Sequence, residues 1–138
     1  MKLHTYVNFA GKCEEAFRFY EKHMGGKIGM LMMHPEAPDQ RPVKPEFKDA
    51  VLHARISIGD TELLGADIPG AEPMRSAYLS LSVASDGEAE RIFSALSDGG
   101  EVFMPMQEMF FATRFAQLRD RFGINRMIIH ERPMAGRI

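Results

Sequence analysis

The chain has 138 residues, 45% hydrophobic and 26% charged, which is enough apolar material for one compact domain with a real core. A formal charge of −2 leaves no basic stripe for nucleic acid and no polybasic patch for a membrane surface. No apolar run approaches the ~18 residues of a membrane span, the N-terminus lacks the apolar stretch of a signal peptide, and the single cysteine, Cys13, excludes an internal disulfide, so a cytoplasmic location is the expectation.

The first strand is expected over residues 3–9, with Leu3, Val7 and Phe9 on one face and His4, Tyr6 and Asn8 on the other. A helix from about Lys12 to Met24 follows, with Ala16, Phe17, Tyr20 and Met24 on one side. It stops at Gly25-Gly26, a pair suited to a left-handed cap. Apolar or β-rich segments lie at 27–33, 51–58 and 62–68. Between the first two runs HPEAPDQRPVKPEFK, a polar, proline-rich loop expected to be mobile. In the segment at 51–58, His53, Arg55 and Ser57 oppose Leu52, Ala54, Ile56 and Ile58.

The remaining elements repeat this order. EEAFRFYEKHMGGKI (14–28) and GEAERIFSALSDGGEV (87–102) both read Glu-Ala-x-Arg-apolar-aromatic and both end in Gly-Gly-x-apolar. HTYVNF (4–9) lies 74 residues before YLSLSV (78–83). Two copies at so long a period indicate a duplicated half-domain. The second copy predicts a strand at 77–83, a capping box of Ser85 and Glu88, a helix striped by Ala89, Ile92, Phe93 and Leu96, and a stop at Gly99. Strands then fall near 101–106, 111–118 and 126–132, the last two joined at DRFG. The expected fold is α+β. Two βαβββ modules form an eight-stranded cup-like sheet with helices on the outer face; module one spans about 1–68, the linker 69–75 and module two about 76–132.

YVNFAGKCEEAFRFY (6–20), LHARISIGDTELLGAD (52–67) and MPMQEMFFATRFAQLRDRFGINRM (104–127), with the helix between them, span nearly the whole chain. In their order and spacing they resemble the vicinal oxygen chelate superfamily, the glyoxalase/bleomycin-resistance fold, and more closely its PhnB-like branch. Some proteins of that branch carry the label 3-demethylubiquinone 3-methyltransferase, but no glycine-rich strand-to-helix turn of the Rossmann type stands in this chain. The resemblance implies a homodimer and a divalent metal in the cup, held by one residue from the first and last strands of each module, which polarises vicinal oxygens of a substrate. Carried over by position, the four ligands fall on His4, Gly65, Tyr78 and Met127. One fits. A catalytic metal needs about three protein ligands, so the resemblance implies a protein without the full metal centre and without a cofactor.

The residues leave two classes open. One is a binding module that takes a small polar or aromatic molecule in the cup, with His4, Tyr6, His53, Arg55, Tyr78, Met106, Glu108, Phe111 and Arg114 as contacts. The other is a metal-dependent lyase, isomerase, dioxygenase or thiol transferase with a rearranged site. His4, His53 and Asp67 are then the candidate metal ligands, and Glu108, if buried beside Phe110 and Phe111, the candidate general base. Cys13 stands at a helix start, where a thiol is either activated or simply packs the first turn; packing is the expectation. His23, His34 and His130 read as surface residues.

Overall fold

In the computed structural model, which describes residues 1–39 and 41–133, the chain divides into two compact units, Met1–Glu72 and Pro73 onward. Module one comprises β1 (Thr5–Phe9), α1 (Cys13–Met24), β2 (Lys27–Met33), β3 (Val51–Ile58) and β4 (Thr61–Asp67). Module two comprises β5 (Leu79–Ser82), α2 (Asp86–Ser97), β6 (Glu101–Met109), β7 (Ala112–Arg119) and β8 (Asn125–Glu131). Each module is therefore βαβββ, and each forms its own four-stranded mixed sheet, in the orders β1-β4-β3-β2 and β5-β8-β7-β6. The first strand of each lies parallel to the last, and the other neighbours are antiparallel.

The helices form where the apolar spacing places them. α1 buries Cys13, Ala16, Phe17 and Tyr20, a stripe of helical period, and ends at Gly25 in the left-handed region at φ 67°. Each large apolar side chain so buried contributes about 1.5–3 kcal/mol. α2 buries Ala89, Ile92 and Leu96. Its start is a capping box in substance: the Ser85 hydroxyl accepts from the Glu88 N–H at 3.0 Å, and the Glu88 carboxylate accepts from the Ala84 N–H at 3.1 Å.

Two local expectations are corrected, for β1 and for the histidines, and the proline-rich loop has local structure of its own. β1 begins at Thr5, so His4 precedes the strand and Leu3 is fully exposed. The proline-rich loop holds two single-turn 3-10 helices, His34–Glu36 and Pro45–Phe47, and its Gln40 lies outside the described residues. The surface histidines are all half-buried instead. The His34 ring packs on Phe47 at 5.1 Å with Nε2 3.1 Å from the Asp67 carbonyl oxygen, and His23 lies 4.4 Å from the Phe19 ring.

Candidate functional site

In module one, the face turned to α1 is set by Gly65, where an added Cβ would stand 2.9 Å from Phe17 Cζ and 3.3 Å from Cys13 Sγ. Strand parity puts Leu63 and Asp67 on that same face. The opposite face carries Tyr6, His53 and Arg55. Tyr6 Oη lies 3.5 Å from His53 Nδ1, their rings are 5.9 Å apart at 30°, and Arg55 pairs with Glu62 at 3.7 Å. His4 is exposed just ahead of this group.

Asp67 does not join His4 and His53, and its place as a metal candidate is corrected. It is 1% exposed on the α1 face, and its carboxylate accepts three backbone N–H groups: Gly11 at 2.8 Å, Cys13 at 3.0 Å and Val51 at 2.8 Å. Those bonds tie the end of β4 to the start of α1 and the start of β3. A carboxylate so engaged is structural. The Cys13 thiol beneath it is fully buried, and burial first, then Asp67 and Glu14, push its pKa up to about 12. Buried there, it packs the first turn of α1.

In module two the face turned to α2 is marked by Arg114, which reaches Asp86 at 3.6 Å and Glu90 at 3.0 Å on the helix. Arg114 therefore does not line the opposite face, where the candidate ligand contacts were expected. Ala116 and Leu118 share its parity and are fully buried. His130 also turns this way: its Nδ1 stands 2.8 Å from Asp86 Oδ1 and 3.0 Å from Thr113 Oγ1. The Thr113 hydroxyl and the His130 ring, then the Arg114 charge, hold the Asp86 carboxyl below its ordinary value.

The other face of module two is apolar at its centre. Phe115, Ile129 and Ala112 form a buried cluster, with Met104, Met109, Phe111 and Met127 packed against it. Phe111 and Phe115 meet edge to face at 5.1 Å. Further along this face Tyr78 and Phe103 meet edge to face at 6.4 Å, and the Arg119 guanidinium lies 5.5 Å from the Phe103 ring. The register shift between Val102 and Met104 opens β6 at Phe103, a position that simple alternation does not resolve. Met106 is half-buried on the same strand but stands outside the cluster. Glu108 is not buried beside the aromatics: its side chain is 67% exposed and pairs with Arg132 at 2.9 Å, which removes the basis for a desolvated general base. Sequence reasoning missed Phe103, Arg119 and Arg132; the aromatic–Arg grouping was invisible because it depends on that shift.

Among the described residues no group of three or more His, Cys, Asp or Glu side chains is placed to hold a metal ion. The four positions carried over from the resemblance do not supply one. His4 is exposed, Gly65 faces α1, Tyr78 contacts Phe103, and Met127 is in the apolar cluster.

Comparison with known proteins agrees with this architecture. Residues 1–129 match the family described as 3-demethylubiquinone-9 3-methyltransferase. The chain belongs to that family. It is the PhnB-like branch of the vicinal oxygen chelate superfamily, the glyoxalase fold. Protein YjdN of Escherichia coli K12 is 29% identical over 138 residues, covering 93% of this chain and 94% of that one. The crystal structure of protein PA1353 from Pseudomonas aeruginosa is 35% identical, covers 96% of this chain and 99% of its own, and superposes with a TM-score of 0.86. A PhnB protein from Bacillus cereus, described as a putative 3-demethylubiquinone-9 3-methyltransferase, shares the fold at 22% identity and a TM-score of 0.77, covering 94% of this chain and 99% of its own. No helix among the described residues of this PhnB-like chain is long and apolar enough to cross a membrane.

Proposed function

We propose that the protein is a PhnB-like small-molecule binder. It takes a small polar or aromatic molecule on the face of module two that turns away from α2, acts as a homodimer, and works without the superfamily's full metal centre. The observation that carries this reading is the environment of Met127. Where the resemblance asks for a metal donor, a thioether packs into the cluster of Ala112, Phe115 and Ile129 beside Met104, Met109 and Phe111. A thioether is a soft donor ill matched to Mg, Mn or Ni. A wall of methionine and phenylalanine instead adapts to apolar and aromatic shapes.

The remaining candidate contacts fit supporting roles. Tyr78 and Phe111 offer ring faces on the proposed side, Met106 stands outside the cluster, and Tyr6, His53 and Arg55 belong to the polar face of module one, with His4 exposed just ahead of it. The edge strand β6, with Val102 and Phe103 exposed, supports pairing with a second copy. The methyl transfer named in the family description is not carried over, because neither strand-to-helix turn, at Gly11-Lys12 or Ala84-Ser85, has the glycine-rich form of a Rossmann methyltransferase.

Thermal unfolding of chelator-treated protein tests this against the metal-dependent enzyme. A saturable rise with a small aromatic compound, chelator present, supports binding without metal. A rise produced only by Mn, Ni, Zn or Fe(II), and lost in His4→Ala, establishes the enzyme reading instead.

A further inference from the structure

Across the proposed ligand face the sheet register sets side chains in rows. Met104 on β6 pairs with Gln117 on β7, Gln117 pairs with Met127 on β8, and Met127 pairs with Ser80 on β5. Gln117 thus stands on an inner strand with a methionine on either side. It is half-buried. Its amide makes no hydrogen bond to any described residue, and neither amide atom is sealed from solvent.

Arg119 and Asn125, paired on the same face, differ. Arg119 Nε donates to Asn125 at 3.0 Å and its Nη2 to the Met74 carbonyl at 2.9 Å, while the Asn125 amide donates to the Ala77 carbonyl at 3.0 Å. Those side chains hold the segment before β5. Ser80 and Ser82 lie exposed on the edge strand. Gln117 holds nothing in place, and packing alone between two thioethers is served as well by leucine or methionine.

We propose that Gln117 is the polar anchor of this face and that the ligand presents a neutral donor–acceptor group, of the amide or lactam class, beside an apolar or aromatic body. The inference rests on the reading of this face as the ligand site. A primary amide offers a carbonyl acceptor and an N–H donor side by side, so a second amide or a lactam satisfies both at once. An ionised group set between Met104 and Met127 loses water and gains no opposite charge in that row, and Arg119, two residues along β7 on the same face, is already engaged by Asn125, the Met74 carbonyl and Glu101. An apolar group leaves the amide stripped of water and unpaired. The row selects a neutral polar ligand over both.

Three probes with one ring and different heads test this: benzamide, benzoate and toluene, titrated into chelator-treated protein and followed by the methionine methyl and glutamine side-chain NMR signals. Benzamide should bind about fivefold tighter than toluene, bind tighter than benzoate, and move the Gln117 amide signals together with the Met104 and Met127 methyls. Gln117→Leu should erase the benzamide preference and keep toluene binding. Gln117→Glu, which keeps the size and loses the donor, should weaken benzamide as well. Equal binding of benzamide and toluene, or an unchanged preference in Gln117→Leu, overturns the anchor while the ligand face stands. If none of the three probes moves the methyls of this face, the reading of the face fails and the anchor with it.

Discussion

Asp67 and His130 occupy the same station in the two modules, each at the end of the last strand where it meets the start of its helix. Asp67 pairs with Phe9 in the parallel β1–β4 register. Ser82 pairs with Ile129 and the Val83 N–H donates to the Ile129 carbonyl, so one step further His130 stands opposite Val83. The duplication kept the corner and changed its chemistry. In module one a buried carboxylate accepts three backbone N–H groups. In module two the imidazole of His130, the Thr113 hydroxyl and the Asp86 carboxylate close the corner chiefly through side chains, with one further bond from the Thr113 hydroxyl to the His130 carbonyl at 3.4 Å.

The module-one corner should tolerate little. Asp67→Asn puts an NH₂ group where backbone N–H groups now point, leaving at least one buried donor unpaired. The expected loss is roughly 3 kcal/mol in urea unfolding. A loss below about 1 kcal/mol would show that the corner relaxes around the amide.

Cys13 should be inert. With its pKa pushed from an ordinary 9.0 to about 12, the thiol stays neutral near pH 8, and a thiol-reactive dye should label it only after unfolding. Because the folded protein holds this proton more tightly than the unfolded chain, stability should fall as pH rises between those two values. Prompt stoichiometric labelling of native protein would contradict the burial.

The module-two corner should be acid-sensitive. Asp86 is held below its ordinary 3.8 by the Thr113 hydroxyl and the His130 ring, then by Arg114. Its folded value is depressed, so its contribution is present above pH 3.8 and is lost as pH falls through the folded value. Asp86→Asn should therefore unfold at a lower temperature than wild type near pH 6, with the gap closing toward pH 2. A gap independent of pH would point to packing alone.

Gly65 should resist replacement. An added Cβ meets Phe17 at 2.9 Å, so Gly65→Ala should destabilise by about 1–3 kcal/mol, read by denaturant unfolding. A neutral Gly65→Ala would mean that Phe17 moves aside without cost.

The architecture was legible because local signals agreed. The repeat at 14–28 and 87–102, the Gly25 cap, the Ser85–Glu88 box and the alternation in β3 each point to one βαβββ unit, and the structure has two. The site was legible only where alternation ran unbroken. Tyr6 and His53 came together as strand parity implies. Asp67 and Gly65 share a parity that faces α1, and simple counting does not say that a carboxylate there will spend itself on backbone N–H groups. Arg114 was placed among the ligand contacts because it closes the methionine–phenylalanine segment, and a guanidinium under a helix is intelligible only once Asp86 and Glu90 are known to meet it. Glu108 lies on a strand interrupted by register shifts and pairs outward with Arg132. Gln117 escaped notice because it becomes distinctive only once its row partners, Met104 and Met127, are in place.

In the proposed function the methionine–phenylalanine face of module two binds a small molecule without metal. The most direct measurement is the spectrum of ¹³C-methyl methionine in chelator-treated protein, recorded against a panel of small aromatic compounds. Saturable shifts at Met104, Met109 and Met127, unchanged when chelator is increased, are the expected result. Shifts that require a divalent metal, or that leave these three methyls unmoved while methionines elsewhere respond, would contradict it.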